Sequence, residues 1–260
     1  MNESTNIYDE LINNFQDRTI FICVSGGRDS TAMTLLLAND KRASNMDIRL
    51  LFGDTRLNSP RARKVVKRLS KDFDWPLEIA RYEGQDKVID VLRQSFEVIP
   101  SAIERKDHHV SGKSKSYKTL FPCCTILKKH PMRTFLKKQD KDKIIQFLGI
   151  KGGDKALHRW YRMKELRDAN TYKRLKKDGY LYYYPLRDYS DSQVQEVLDR
   201  YGYNDVTSSG CMVCPIFCVA DWEKKNPETT RRSRLMAKRF GVDLRAENQL
   251  PLRAFCSGLE

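Results

Sequence analysis

Four of the seven cysteines fall into two close pairs. Cys123 and Cys124 are adjacent, while Cys211 and Cys214 enclose only Met212 and Val213. A Cys-x-x-Cys gap lets both sulfurs reach one metal centre, and two pairs supply four thiolate ligands. Adjacent cysteines are awkward on one tetrahedral ion but can reach different irons of a cubane, so structural zinc and an iron-sulfur cluster both stay open on ligand softness. A second chemistry-bearing run is Ser25-Gly26-Gly27-Arg28-Asp29-Ser30-Thr31. Glycines allow the backbone close to phosphate oxygens, successive N–H groups face the anion, and the helix that follows adds its positive end. Ser30 and Thr31 offer hydroxyl donors, and Arg28 offers a charged one. The plain alternative is an ordinary glycine turn with a well-capped helix.

What decides between these readings is the company the loop keeps. The apolar β-rich run Ile20-Phe21-Ile22-Cys23-Val24 precedes it, and the helix-like Ala32-Met33-Thr34-Leu35-Leu36-Leu37 follows, which favours a phosphate loop between strand and helix. A second unit repeats the order: strand Ile48 to Phe52, then Asp54 and Thr55 at its C-terminal end, then a helix with Val65, Val66, Leu69 and Phe73 at helical spacing. Leu77 to Tyr82 reads as a strand and Val88 to Phe96 as a helix. Residues 100–122 are basic and rich in serine and lysine, with His108 and His109, and read as a loop or lid. Beyond it the pattern predicts a helix through Leu127 to Leu136, a strand over Ile144 to Ile150, basic helical material from His158 to Lys177, and a strand over Tyr180 to Tyr184. A helix opened by Ser190 and closed by Gly202 follows. Alternating units of this kind imply a doubly wound α/β fold, a mostly parallel sheet with helices on both faces and ligands at the strands' C-terminal edge.

Composition narrows the partners. The 48 Lys plus Arg outnumber the 34 Asp plus Glu, for a net charge of +14, so an anion is the expected ligand. The surplus spreads over residues 61–71, 113–118, 128–143 and 159–177, which suits a polyanion such as DNA or RNA. Solvated helix faces would give the same charge pattern. No apolar run reaches the roughly 20 residues a membrane span needs. The polar start Met1-Asn2-Glu3-Ser4 has no secretory pattern, so a cytoplasmic protein with reduced thiols is expected. His108, His109, His130 and His158 have no metal spacing. Cys23, inside an apolar strand, reads as core, and Cys218 reads as core or a reserve ligand.

Taken together, these runs resemble the 3'-phosphoadenylylsulfate (PAPS) reductase family of the adenine nucleotide alpha hydrolase superfamily, the PP-loop ATP pyrophosphatases. Ser25 to Ser30 looks like the PP-loop, and Asp54-Thr55 matches the second-strand signature. Cys123-Cys124 followed by Thr125 to Pro131 resembles the double-cysteine helix. Tyr184-Pro185-Leu186-Arg187-Asp188-Tyr189-Ser190 resembles the stretch that leads into a helix, and Gly210 to Cys214 completes the order. The similarity runs from about Thr19 to Pro215. It implies a [4Fe-4S] cluster on Cys123, Cys124, Cys211 and Cys214, with zinc as the alternative. It also implies an adenine nucleotide on Ser25, Gly26, Gly27, Arg28, Asp29, Ser30, Thr31, Asp54 and Thr55. A basic loop of the family contacts phosphate or sulfate where Lys151 and Arg159 stand here. Cys256 sits in a tail similar to the Glu-Cys-Gly end of sulfonucleotide reductases, although Phe255 replaces the glutamate and Ser257 is inserted.

The expected layout is a PP-loop nucleotide-binding domain over 1–205 and a cluster-binding C-terminal region over 206–260. The loop is close to the form that splits ATP to AMP and pyrophosphate, whereas reductases acting on APS or PAPS carry degenerate loops. The resemblance therefore points to ATP-dependent sulfur insertion into nucleic acid, in the manner of DNA phosphorothioation or tRNA thiolation. Mg²⁺ is expected with ATP, held by Asp29 or Asp54, with Arg28 and Asp29 at the reacting phosphates. A sulfur donor is then required. An APS or PAPS reductase with Cys256 as the attacking thiol and a thioredoxin-like reductant is the second reading. A non-catalytic nucleotide- or nucleic-acid-binding subunit is the third. A homodimer is left open.

Overall fold

In the computed structural model the described residues are 17–40, 43, 45–84, 87–92, 94–95, 123–151, 172–174, 179–207, 209, 211–212, 231, 234–235 and 237–239. They form two compact units. The first comprises Met1–Gly53, Pro60–Ala80 and Arg133–Ser209, and the second Asp54–Ser59, Arg81–Met132 and Gly210–Glu260.

The first unit is built on a sheet of order β3-β2-β1-β4-β6-β5. Its strands are β1 (Thr19–Val24), β2 (Ile48–Asp54), β3 (Leu77–Arg81), β4 (Ile144–Leu148), β5 (Tyr172–Arg174) and β6 (Leu181–Tyr183). Central β1 pairs in parallel with β2, Ile22 opposite Leu50, and with β4, Ile22 opposite Phe147. Strand β6 runs parallel to β4, and β5 closes that edge antiparallel to β6. The basic helix expected over His158 to Lys177 is corrected at Tyr172–Arg174. There the unused edge of β6 supplies a ladder for Tyr172 opposite Tyr183, and non-local pairing outweighs local charge pattern. The rest of that segment and the 100–122 loop lie outside the described residues.

Why these segments become parallel strands is visible in their burial. Ile20, Ile22, Leu50, Ile145 and Phe147 are fully buried, as near-continuous apolar runs must be when both sheet faces are covered. On one face they meet Met33 and Leu35 of α1 (Arg28–Ala38), Val65, Val66 and Leu69 of α2 (Pro60–Phe73), and Val194, Val197 and Leu198 of α4 (Asp191–Arg200). The other face receives α3 (His130–Lys137), whose Phe135 ring stands edge-on to Phe21 at 5.5 Å. Proline at the first position of α2 suits a helix start, where a missing N–H costs nothing. Strand order reverses between β1 and β4, because the chain first adds β2 and β3 on one side and then returns to the other. That reversal opens a crevice at the strands' C-terminal ends.

The second unit has its own apolar cluster: Leu57, Val88, Val91, Leu92, Cys123, Leu127 and Ala237, with Tyr82, Cys124, Ile126 and Cys211 packed against it. The predicted cysteine helix starts as a π-helical turn over Cys124–Lys129, ahead of α3. Such turns arise where one extra residue is accommodated and frequently mark functional sites. No helix among the described residues is long and apolar enough to cross a membrane.

Candidate functional site

The loop after β1 is shaped by two glycines for two different reasons. Gly26 has φ +72°, and a Cβ there would collide with the Ala62 carbonyl in the first turn of α2. At Gly27 a Cβ would lie 2.6 Å from Ser209 Oγ. Gly27 is also the N-cap of α1, with extended φ and ψ and no side chain to cap the first turn, so the helix start is left to backbone donors and whatever anion they meet. Three hydroxyls brace the turn. Ser25 N donates to Ser30 Oγ at 3.1 Å, Ser30 Oγ donates to Gly27 O at 3.1 Å, and Ser209 Oγ donates to Ser25 Oγ at 2.8 Å. Thr31 is fully buried, and its hydroxyl has no hydrogen-bond partner among the described residues.

Directly across the crevice stands the segment after β4. Gly149 comes within 3.1 Å of Asp29 and Ser30 by the position a Cβ would take, so the two segments touch through backbone. Two residues on, Lys151 is buried, and its Nζ donates to Asp29 Oδ1 at 2.8 Å and to Asp191 Oδ1 at 2.6 Å. Arg28 Nη2 donates to the Asp191 carbonyl at 3.1 Å. The first residue of α4 thus holds both cations nearest the loop. Its own position is fixed by a capping box, with Gln193 N donating to Ser190 Oγ and Ser190 N donating to Gln193 Oε1. The Lys151 ammonium holds the Asp191 carboxyl below the usual carboxylate range, although most of that side chain is exposed.

The second unit carries the other candidate residues. Asp54, the last residue of β2, is buried, and both its oxygens are engaged: Oδ1 accepts from Arg56 N at 2.8 Å, and Oδ2 accepts from Arg81 Nε at 2.9 Å and Nη2 at 2.6 Å. Arg56 has φ +62°, an uncommon conformation for a residue with a Cβ, and the Asp54 bond to its amide supports it. Asn58 Oδ1 accepts from Thr55 N at 2.8 Å and Thr55 Oγ1 at 2.9 Å. This small turn pairs with the cysteine segment: Asn58 bridges Cys211, Met212 N donates to Leu57 O at 2.6 Å, and Thr55 Oγ1 lies 3.6 Å from Cys211 Sγ.

Cys123, Cys124 and Cys211 therefore share one apolar cluster. Ser95 Oγ accepts from Cys123 N at 2.9 Å, holding the start of the π-helical turn. A hydrogen bond with Cys123, and burial after it, push the Cys124 thiol far above its usual range. Burial pushes Cys211 up as well, against the Thr55 hydroxyl. Among the described residues no three His, Cys, Asp or Glu side chains are already arranged around a metal position. The donor chemistry does fit one: three soft thiols in apolar surroundings, each able to lose its proton to a metal. Cys214, Arg159 and Cys256 lie outside the described residues. Sequence reasoning missed Ser209, Asp191 and Arg81. Asp191 had a signal, as the acid just inside the helix that Ser190 caps. Ser209 and Arg81 had none, since only folding brings them to Ser25 and Asp54.

A glycine loop stands here between a parallel strand and a helix, at the point where strand order reverses. Residues 1–102 match the family model of the PP-loop domain. The fold is similar to that of the U34-tRNA thiolase NcsA from Methanococcus maripaludis, solved with its [4Fe-4S] cluster. The TM-score is 0.50 at 14% identity, covering 97% of this chain and 84% of that one. A PAPS reductase from Candida auris in a phosphate complex aligns with TM-score 0.49 at 13% identity over 79% of this chain and 81% of that one. An NH3-dependent NAD synthetase from Campylobacter jejuni aligns with TM-score 0.43 at 11% identity over 94% and 95%. No curated protein matches the sequence.

Proposed function

We infer that this protein is a PAPS-reductase-like enzyme that binds ATP, adenylylates a nucleic acid and transfers sulfur to it. The observation that carries the reading is the braced glycine loop facing Lys151 across the crevice. It combines backbone donors at a helix start with a buried ammonium, the pairing that stabilises charge on a transferred phosphoryl group. In this reading an oxygen of the acceptor attacks the α-phosphorus of ATP, and pyrophosphate leaves. A sulfur nucleophile then displaces AMP, leaving sulfur where oxygen was. The acceptor is a DNA backbone or a tRNA base.

Within this scheme the loop amides after Gly26 and Gly27 hold the phosphates, Arg28 and Lys151 offset their charge, and Asp29 and Asp191 place Lys151. Mg²⁺ accompanying ATP would neutralise phosphate charge beside Asp29, since Asp54 already spends both oxygens on Arg56 and Arg81. Cys123, Cys124 and Cys211, completed by Cys214, would hold a [4Fe-4S] cluster, which would supply a site for a labile sulfide or a fixed charge. The deciding experiment is anaerobic purification followed by ATP-pyrophosphate exchange with and without DNA and tRNA. Nucleic-acid-stimulated exchange supports the reading. Sulfite release from APS or PAPS without any exchange replaces it with the reductase reading, in which Cys256 attacks sulfur.

A further inference from the structure

We propose that the exposed face of α2 is the docking surface for the phosphate backbone of duplex DNA. This deepens the reading above, on which its acceptor rests. Helix α2 carries six cations, Arg61, Arg63, Lys64, Lys67, Arg68 and Lys71, against one carboxylate, Asp72. Asp72 is already engaged, accepting from Arg68 Nε at 3.3 Å and from Tyr203 Oη at 2.7 Å. Arg61 donates to the Asp205 carbonyl, and Arg68 stacks on the Tyr203 ring at 3.8 Å. Arg63 is half-buried, which leaves Lys64, Lys67 and Lys71. They are exposed and none pairs with a carboxylate among the described residues. At 100° per residue the three fall within about 60° of one another on the helix, and they span about 10 Å along it. The buried residues Ala62, Val65, Val66 and Leu69 fix this face outward.

One further observation chooses the occupant. The stripe exposes no aromatic side chain. Unpaired strands are gripped largely by stacking their bases on aromatics, so a row of point charges alone suits a duplex, whose bases are already stacked and whose phosphates line the surface. Lysines contact phosphate as point charges without reading sequence, so the surface positions DNA and leaves sequence choice elsewhere.

The test is fluorescence anisotropy of the full chain with labelled duplex DNA, single-stranded DNA and duplex RNA over a salt series. In the variant Lys64→Gln/Lys67→Gln/Lys71→Gln, duplex DNA affinity at low salt falls by about tenfold or more. The slope of log affinity against log salt falls by about 2.7, three contacts at roughly 0.9 each. The charge-preserving Lys64→Arg/Lys67→Arg/Lys71→Arg variant restores both. Changing Lys137, Lys138 and Lys141, on the opposite sheet face, to Gln removes the same charge and leaves the slope within about 1. Equal losses in the two Gln variants, or tighter binding of single strands or duplex RNA than of duplex DNA, overturn the proposal. Nucleotide binding by the wild-type chain is measured alongside. Stripe-dependent DNA binding without nucleotide binding sinks only the adenylylation reading, and nucleotide binding without stripe dependence sinks only the docking surface.

Discussion

Lys151 Nζ sits 2.8 Å from Asp29 Oδ1 and, on its other side, 2.6 Å from Asp191 Oδ1, so one buried ammonium ties the loop after β1 to the start of α4. Removing it leaves two carboxylates facing each other and takes a cation away from the phosphates. Lys151→Gln is expected to weaken ATP binding by about tenfold or more, consistent with roughly 1.5–3 kcal/mol for a charged hydrogen bond. Isothermal titration calorimetry checks it. Unchanged affinity would mean that Lys151 serves only the scaffold.

The same contact makes stability depend on pH. The Asp191 carboxyl has a folded pKa below its unfolded one, so the unfolded chain binds the extra proton in that window, and stability rises with pH there. The contribution is present above about pH 4, the unfolded carboxylate value, and disappears as pH falls through the lower folded value. Asp191→Asn should therefore be less stable than wild type at neutral pH and converge with it in acid. Urea unfolding across pH 2 to 7 would reveal parallel curves if the ion pair contributes nothing.

Gly26 tests the loop's shape. Its positive φ and the nearby Ala62 carbonyl both reject a Cβ. Gly26→Ala is expected to cost about 1–2 kcal/mol from φ alone, and more from the collision. It should lower the unfolding temperature and abolish nucleotide binding together. A fully stable Gly26→Ala chain that still binds ATP would show that the loop can relax.

Thiol substitutions separate ligands from bystanders. Cys123→Ser, Cys124→Ser, Cys211→Ser and Cys214→Ser should each remove visible absorbance and bound iron after anaerobic reconstitution, whereas Cys256→Ser keeps both. Because a hydrogen bond with Cys123 and burial raise the Cys124 thiol, and burial raises that of Cys211, metal uptake releases protons and tightens as pH rises. Zinc rather than iron in anaerobically purified protein would replace the cluster with a structural ion.

Legibility in the sequence followed the length of the physical signal. The runs Ile20 to Val24 and Ile48 to Phe52 are apolar throughout, and only strands buried on both faces read that way, so the parallel core was visible. The glycine pair was visible because both conformational need and helix context leave marks on residue type. Strand β5 was not, since three residues rich in charge take their structure from the free edge of β6 rather than from their own propensity. Asp191 and Ser209 were hidden for a similar reason. Each is an unremarkable polar residue until the fold sets it beside Lys151 or Ser25. The clustering of Cys123 and Cys124 with Cys211 was legible as paired spacing, while the turn at Thr55 to Asn58 that receives Cys211 was not.

That turn also dictates an order of events at the ribosome. Thr55 meets Cys211 across 156 positions, and Leu57 accepts the Met212 amide, so the early segment emerges long before its partner is made. Until then the Leu57 carbonyl waits without the Met212 amide, and Cys123 and Cys124 wait without Cys211 in their apolar cluster. Loading of any metal consequently waits until Cys211 has been made, and a chain terminated before it would carry its glycine loop yet never mature its sulfur centre.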